Sequence, residues 1–207
     1  LSPVDAVSLL CIGKNYKAHA DECGSDLPAA PLLFIKAISS LNGPDMPVML
    51  PVPEVSTQVD FEAELAVVIG KRCKNIKRGN AADVIAGFTC FNDVTARDLQ
   101  RRDGQWTRAK GFDTFAPVGP FIAPAANIDP DNLCIRSRVN GMTKQDSSTS
   151  NLIFEIPYLL EFISNIMTLE VGDIIATGTP PGVSSFHPGD VVEIEIEGIG
   201  ILKNEVV

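Results

Sequence analysis

VDFEAELAVVIGK occupies residues 59–71. Its second half is apolar and β-branched on both parities, the mark of a strand covered on both faces, and it ends on Gly70 as strands often do. The first half is acidic. Asp60, Glu62 and Glu64 share parity, so a continuous strand sends their carboxylates to one face. Charges gathered that way in a partly buried sheet are unfavourable unless a cation or a proton compensates them. An all-oxygen donor set suits Mg²⁺, Mn²⁺ or Ca²⁺. The same spacing recurs as Glu193, Glu195 and Glu197, where alternation with Val192, Ile194 and Ile196 reads as a solvated terminal hairpin that closes the sheet.

Working outward, SLLCIG (8–13), PLLFIK (31–36), GFTCFN (87–92) and residues 173–179 read as further strands, and residues 41–58, rich in Pro, as loop. Residues 133–140 alternate, and Asn140-Gly141 after them is the strongest hairpin signal in the chain. Helical readings fall on 14–23 with Gly24 as C-cap, on 81–86, on 94–102 and on 151–167. The last is capped by Ser150 or Asn151 and carries Pro157 in its first turns. With 16 Gly and 15 Pro between short β-branched runs, the expectation is one β-rich α+β domain over residues 1–207, a mixed sheet curled into a barrel-like sandwich with a few short helices.

Composition bounds the function. Seventeen Lys and Arg against 26 Asp and Glu leave a net charge of -9, so nucleic acid is an unexpected partner. No apolar run reaches the roughly 18 residues of a membrane helix. Five scattered cysteines without C-x-x-C spacing fit a reducing compartment, and a cytoplasmic location is expected, or a mitochondrial matrix in a eukaryote. The chain starts at Leu1 rather than Met, so preceding residues are taken to have been cleaved or omitted.

Several side chains stand out. Asp93 follows an apolar strand, where it completes a three-carboxylate set with Glu62 and Glu64 or simply caps the next helix. Arg97 and Gln100, three apart, share a helix face and offer a cation and an amide to an anionic substrate. His19 and Glu22 have the same spacing, which lets the carboxylate orient the imidazole as a general base. Lys110 in QWTRAKGFDTFAP can neutralise an enolate or a carboxylate from a loop, unless it is an ordinary surface lysine. TGTPPGV (177–183) ends a strand in a turn whose hydroxyls and amides suit a carboxylate, and His187 reads as a surface loop residue.

GKNYKAHADE from Gly13, FEAELAVVIGK from Phe61, NDVTARDLQ from Asn92, QWTRAKGFDTFAP from Gln105 and TGTPPGV from Thr177 occur in this order. Together they resemble the fumarylacetoacetate hydrolase family, in particular its small fumarylacetoacetate-hydrolase-domain branch, over nearly the whole chain. The resemblance implies a mixed β-roll, a homodimer, and a divalent ion, Mg²⁺ or Mn²⁺, held by Glu62, Glu64 and Asp93, with Asp60 outside the ligand set. It implies that His19 and Glu22 lie on a lid and activate a water, that Arg97, Gln100 and Lys110 face the substrate, and that Thr179 contacts its carboxylate. The connection after Val183 is shorter than is usual in the family.

The implied substrate is a small 2-oxo acid or diacid, whose enolate a divalent cation stabilises. Hydrolysis of the C3–C4 bond of an acylpyruvate is the leading expectation. Isomerisation of a 2-hydroxyhepta-2,4-diene-1,7-dioate or hydroxymuconate-type diacid, or decarboxylation of oxaloacetate, is the alternative through the same enolate. An inactive metal-binding dimer is the expectation of a different class.

Overall fold

The computed structural model describes residues 2–22, 24 and 26–207, so Cys23, at the end of the first expected helix, lies outside the described residues. In chain order the elements are β1 (Leu9–Gly13), α1 (Lys17–Glu22), β2 (Leu32–Lys36), β3 (Leu41–Asn42), β4 (Val59–Asp60), β5 (Ala63–Ile69) and β6 (Ile85–Asn92). Then follow β7 (Thr95–Ala96), α2 (Arg97–Asp103), α3 (Thr107–Lys110), β8 (Ala116–Pro124), β9 (Cys134–Val139) and β10 (Met142–Ser148). The chain ends with α4 (Ile156–Ile166), β11 (Ile174–Ala176), β12 (Val191–Ile196) and β13 (Gly200–Glu205).

Seven strands form a mixed sheet in the order β2-β1-β11-β5-β6-β8-β3, and four form a second sheet in the order β10-β9-β12-β13. β1 runs parallel to β11 and β3 parallel to β8; the remaining pairs are antiparallel. β5 lies at the centre and all seven of its residues are buried. Leu65, Val67 and Ile69 of β5 join Phe88 and Cys90 of β6 and Ile135, Val192, Ile194 and Leu202 of the second sheet in one apolar cluster. The two sheets therefore pack face to face around the main core. On the opposite face Leu9, Cys11, Ala66, Phe91, Val118 and Ala176 form a smaller cluster, and Glu64, of the same parity as Ala66, opens onto that side. The β-rich roll expected from the sequence is the fold observed.

Five local expectations need correction. The strand over 59–71 is broken: β4 pairs with β7 in a separate ribbon, and Phe61 and Glu62 leave the ladder before β5 begins. Side-chain and loop partners take over there, since Asn92 Oδ1 accepts from Glu62 N–H at 3.0 Å and Ser184 O accepts from Phe61 N–H at 3.4 Å. Helix over 81–86 is replaced by 3-10 turns over Arg78–Val84, and Ile85 and Ala86 already belong to β6, where β-branched Ile85 pairs with Ile69. Residues 94–96 are not helical, because Thr95 and Ala96 are consumed by pairing with β4, so α2 starts at Arg97. The long helix starts at Ile156 rather than 151. Pro157 has no N–H to give to a preceding turn and is accommodated only in the first helical turn. Ser150 and Asn151 belong instead to a separate 3-10 turn headed by Ser148. The Glu193–Glu197 hairpin lies in the second sheet and closes nothing in the first. Asn140 and Gly141 take φ of 51° and 78°, as a tight hairpin turn requires.

Candidate active site

β5 and β6 are antiparallel neighbours, so the start of one lies beside the end of the other, and the pairing of Ala63 with Asn92 brings Glu62 and Glu64 next to Asp93. One carboxylate oxygen from each of the three lies within 4.8 Å of the others, and all three side chains are buried. Asp93 does not cap a helix: α2 begins after Ala96, and no side chain caps it.

Cations hold most of this charge. Lys110 Nζ donates to Glu62 Oε2 at 3.0 Å and to Asp93 Oδ2 at 2.5 Å. Lys36 Nζ donates to the other Asp93 oxygen at 2.6 Å and to Val94 O at 3.0 Å. Arg97 donates through Nη2 to Glu62 at 2.6 Å and through Nε to Asp60 at 2.8 Å. Glu64 has no such partner among the described residues; its Oε2 accepts the Gly178 N–H at 2.8 Å. The protonation preferences follow. Burial pushes Glu64 up, the neighbouring carboxylates of Asp93 and Glu62 add to it, and its pKa stands well above the ordinary carboxylate value. Burial acts on Glu62 as well, but there Lys110 and Arg97 prevail and hold it well below that value. Burial lowers Lys36 despite Asp93, whereas Asp93 and Glu62 overcome the burial of Lys110 and raise it.

A hard divalent cation fits this donor set. Three convergent carboxylates are oxygen ligands of the kind Mg²⁺ and Mn²⁺ take, and Glu64 is a buried carboxylate with no ion pair among the described residues.

The triad opens into a cavity of about 540 Å³ whose walls include His19, Glu22, Phe34, Arg97, Gln100 and Trp106. His19 is buried, and its Nδ1 lies 3.2 Å from Glu22 Oε2. A carboxylate acceptor fixes the proton on Nδ1 and leaves the lone pair of a neutral ring on Nε2. Glu22 also accepts the Gly182 N–H at 3.2 Å, which joins α1 to the turn after β11. Gln100 Oε1 accepts from Arg97 Nη1 at 2.7 Å. Arginine can only donate, so the Gln100 amide must turn its oxygen to Arg97 and keep its NH₂ for another partner.

The nine residues singled out in the sequence therefore all line one cavity. Two details differ from expectation. Lys110 ends a one-turn helix and is buried, neither in a loop nor on the surface. The Thr179 hydroxyl is already engaged, donating to Ala63 O at 2.9 Å and accepting from Gln145 Nε2 at 2.8 Å. Asp60 grips Arg97 and accepts from Ser185 Oγ at 2.7 Å. Sequence reasoning missed Lys36, because a lysine closing an apolar strand gives no sign of which way it points. His187 is exposed, as expected.

The family model for the fumarylacetoacetate (FAA) hydrolase C-terminal domain matches residues 8–207. The chain belongs to the fumarylacetoacetate hydrolase family. A protein of Archaeoglobus fulgidus is 54% identical over 207 residues, covering 100% of this chain and 81% of that protein. An oxaloacetate tautomerase of Bacillus subtilis is 44% identical over 214 residues, covering 99% of this chain and 71% of that protein. The crystal structure of a 5-carboxymethyl-2-hydroxymuconate delta-isomerase from Mycobacterium smegmatis superposes with a TM-score of 0.93 at 47% identity, covering 100% of this chain and 81% of that one. The last of these shares the fold described above.

Proposed function

We propose that this chain is a divalent-metal-dependent enzyme that moves a proton between C3 and the 2-oxo oxygen of a small 2-oxo acid or diacid, an enol–keto tautomerisation or isomerisation. The observation that carries it is the buried triad of Glu62, Glu64 and Asp93 with Lys110 on two of its members, in one cavity with the His19–Glu22 pair. The names of two of its relatives, a tautomerase and an isomerase, point to the same proton chemistry.

Glu62, Glu64 and Asp93 would hold Mg²⁺ or Mn²⁺, which supplies Lewis-acid stabilisation of an enolate when bound. The protein's own groups do the rest. His19, with its Nδ1 proton engaged by Glu22, takes and returns the C3 proton at Nε2. Lys110, kept charged by Glu62 and Asp93, offsets negative charge developing on the substrate oxygen. Arg97 and the outward NH₂ of Gln100 orient the substrate, and Thr179 acts through the Ala63 and Gln145 contacts that fix the turn beside Glu64. We take the working form to be a cytoplasmic homodimer of single-domain chains.

C–C hydrolysis of acylpyruvates is the second reading. The His19–Glu22 pair favours it, because an imidazole so oriented can deprotonate a water as readily as a C–H. The decisive experiment follows the enol absorbance of oxaloacetate, of a hydroxymuconate-type diacid and of acylpyruvates with Mg²⁺, Mn²⁺ or EDTA, and assigns products by NMR. EDTA-sensitive ketonisation without cleavage supports the proposal, and release of pyruvate plus a carboxylic acid moves the protein to the second reading. Loss of CO₂ makes it a decarboxylase. Absence of turnover in every arm leaves a metal-binding dimer without catalysis and rejects both.

A further inference from the structure

Gln145 reaches the triad from the other sheet. It is the one buried residue of β10, an edge strand whose other residues are exposed or half-buried. Such a position is ordinarily apolar, and burying an amide there demands partners. A bulge between Thr143 and Gln145 re-aims the strand. Gln145 then pairs with buried Ser137, whose Oγ accepts the Gln145 N–H at 3.1 Å, and its side chain faces inward.

That side chain closes a ring of hydrogen bonds on Ala63, the residue between Glu62 and Glu64. Ala63 N–H donates to Gln145 Oε1 at 3.0 Å, Gln145 Nε2 donates to Thr179 Oγ1 at 2.8 Å, and Thr179 Oγ1 donates to Ala63 O at 2.9 Å. Gln145 Nε2 also donates to Pro180 O at 2.7 Å, so both hydrogens and the oxygen of the amide are engaged. The ring stands where a strand is missing. β11 pairs with β5 only over Ala66–Val68 and ends at Ala176. Ala63 lies beyond its reach, and a buried backbone N–H and C=O without partners would be costly. On one side of Ala63 the Glu62 N–H is taken by the Asn92 amide, and on the other Glu64 Oε2 accepts from Gly178, in the turn that Gln145 holds at Thr179 and Pro180. Gly182 lets that turn lie directly on the bulge, because a Cβ there would stand 2.2 Å from Lys144 O.

We propose that Gln145 is a positioning residue for the metal ligands: by tying the backbone between Glu62 and Glu64 to the turn that carries Gly178, it sets the spacing of the two carboxylates and thereby the preference of the site for a small divalent ion. The inference rests on the proposed function for the presence of an ion at the triad. Mg²⁺ requires near-octahedral oxygens at about 2.0–2.1 Å, whereas Ca²⁺ accepts flexible arrangements at about 2.3–2.6 Å. Loosening the backbone that carries two ligands therefore costs Mg²⁺ more than Ca²⁺.

Calorimetric titration of the metal-free protein with Mg²⁺ and with Ca²⁺ tests this without turnover. Gln145→Met keeps a similar volume and removes all three side-chain hydrogen bonds. Its Mg²⁺ affinity is expected to fall by about 10–100-fold, the loss typical when a partner that orients a metal ligand is removed, and its Ca²⁺ affinity by less. Gln145→Glu keeps an acceptor for the Ala63 N–H but loses the NH₂ donor; its added charge attracts both ions alike, so the Mg²⁺/Ca²⁺ affinity ratio falls there too. A residue that only stabilised the fold would weaken both ions by one factor, through the fraction of competent protein. Circular dichroism checks folding, and Gln145→Glu decides if Gln145→Met does not fold. An unchanged or raised ratio in the deciding variant overturns the inference while leaving the metal site in place. A wild type that binds neither ion rejects the metal site, and this inference with it.

Discussion

Glu62, just before β5, and Glu64, near its start, stand two apart, and Glu193, Glu195 and Glu197 stand two apart along β12 and the turn after it. The spacing is identical and the outcomes are opposite. On β12 the carboxylates line the outer face of the second sheet, beside Arg136, Arg138 and Lys203 in register, with Arg138 bonded to Glu195. Water reaches Glu193 and Glu195 in part and Glu197 freely. At the head of β5 both carboxylates are buried, a third joins them from just beyond the end of β6, and lysines arrive from β2 and α3. Alternation tells which side chains share a face; what covers that face decides whether the acids are solvated or must be compensated.

Removing a ligand should separate the two regions most sharply. Glu64→Gln is expected to abolish divalent-ion binding by calorimetry and the associated turnover while leaving the fold intact, whereas Glu195→Gln leaves both in place; metal binding that survives Glu64→Gln would reject the site. Next in size is Lys110→Met. It strips the shared cation from Glu62 and Asp93 and is expected to lower the stability of the metal-free protein by about 3–5 kcal/mol in urea unfolding, as loss of one partner of a buried pair does.

The pH dependence sharpens the same contrast. With its folded pKa raised, Glu64 keeps its proton in the native state after the unfolded chain has lost it near the ordinary value of 4.5. Between those two values the native state binds more protons, so stability of the metal-free protein falls as pH rises, by at most about 1.4 kcal/mol per pH unit for one group. Glu62 works in the opposite sense, its contribution being present above the unfolded value of 4.5 and lost as pH falls toward its depressed folded value. Thermal scans should show the falling limb above 4.5 in the wild type, flattened by Mg²⁺ and absent in Glu64→Gln; a limb that persists in that variant assigns it to another group. The smallest effect is expected on β12. Arg138→Gln breaks a partly exposed pair and should cost about 0–1 kcal/mol.

Much of the fold was legible from residues 59–71, from the Asn140-Gly141 hairpin and from the alternating Val192–Glu197 run, because period and turn chemistry are local properties. The helix boundaries were less so. Pro157 was recognised as a first-turn residue, yet the helix was extended back to 151, since nothing local shows that the Ile153 N–H and the Phe154 N–H are claimed by Asn15 from far away in sequence. The break at Phe61 and Glu62 was hidden for the same reason: Ser184 and Asn92, both distant, take the backbone groups a continuous strand would have paired. At the site, the nine residues named from the sequence share one cavity, but Lys36 and the clamp of Asp60 on Arg97 were invisible.

The sequence by itself determined the element types, the acidic parity at the head of the central strand and, through five ordered motifs, the family. Periodicity and turn residues act within a few positions and need no partner to be read. Tertiary structure alone decided which acids are buried, which lysine neutralises which carboxylate, and that Asp60 clamps Arg97. Those outcomes depend on desolvation and on charges brought within a few ångströms by strands and helices remote in the chain, and both quantities exist only once the sheets have packed.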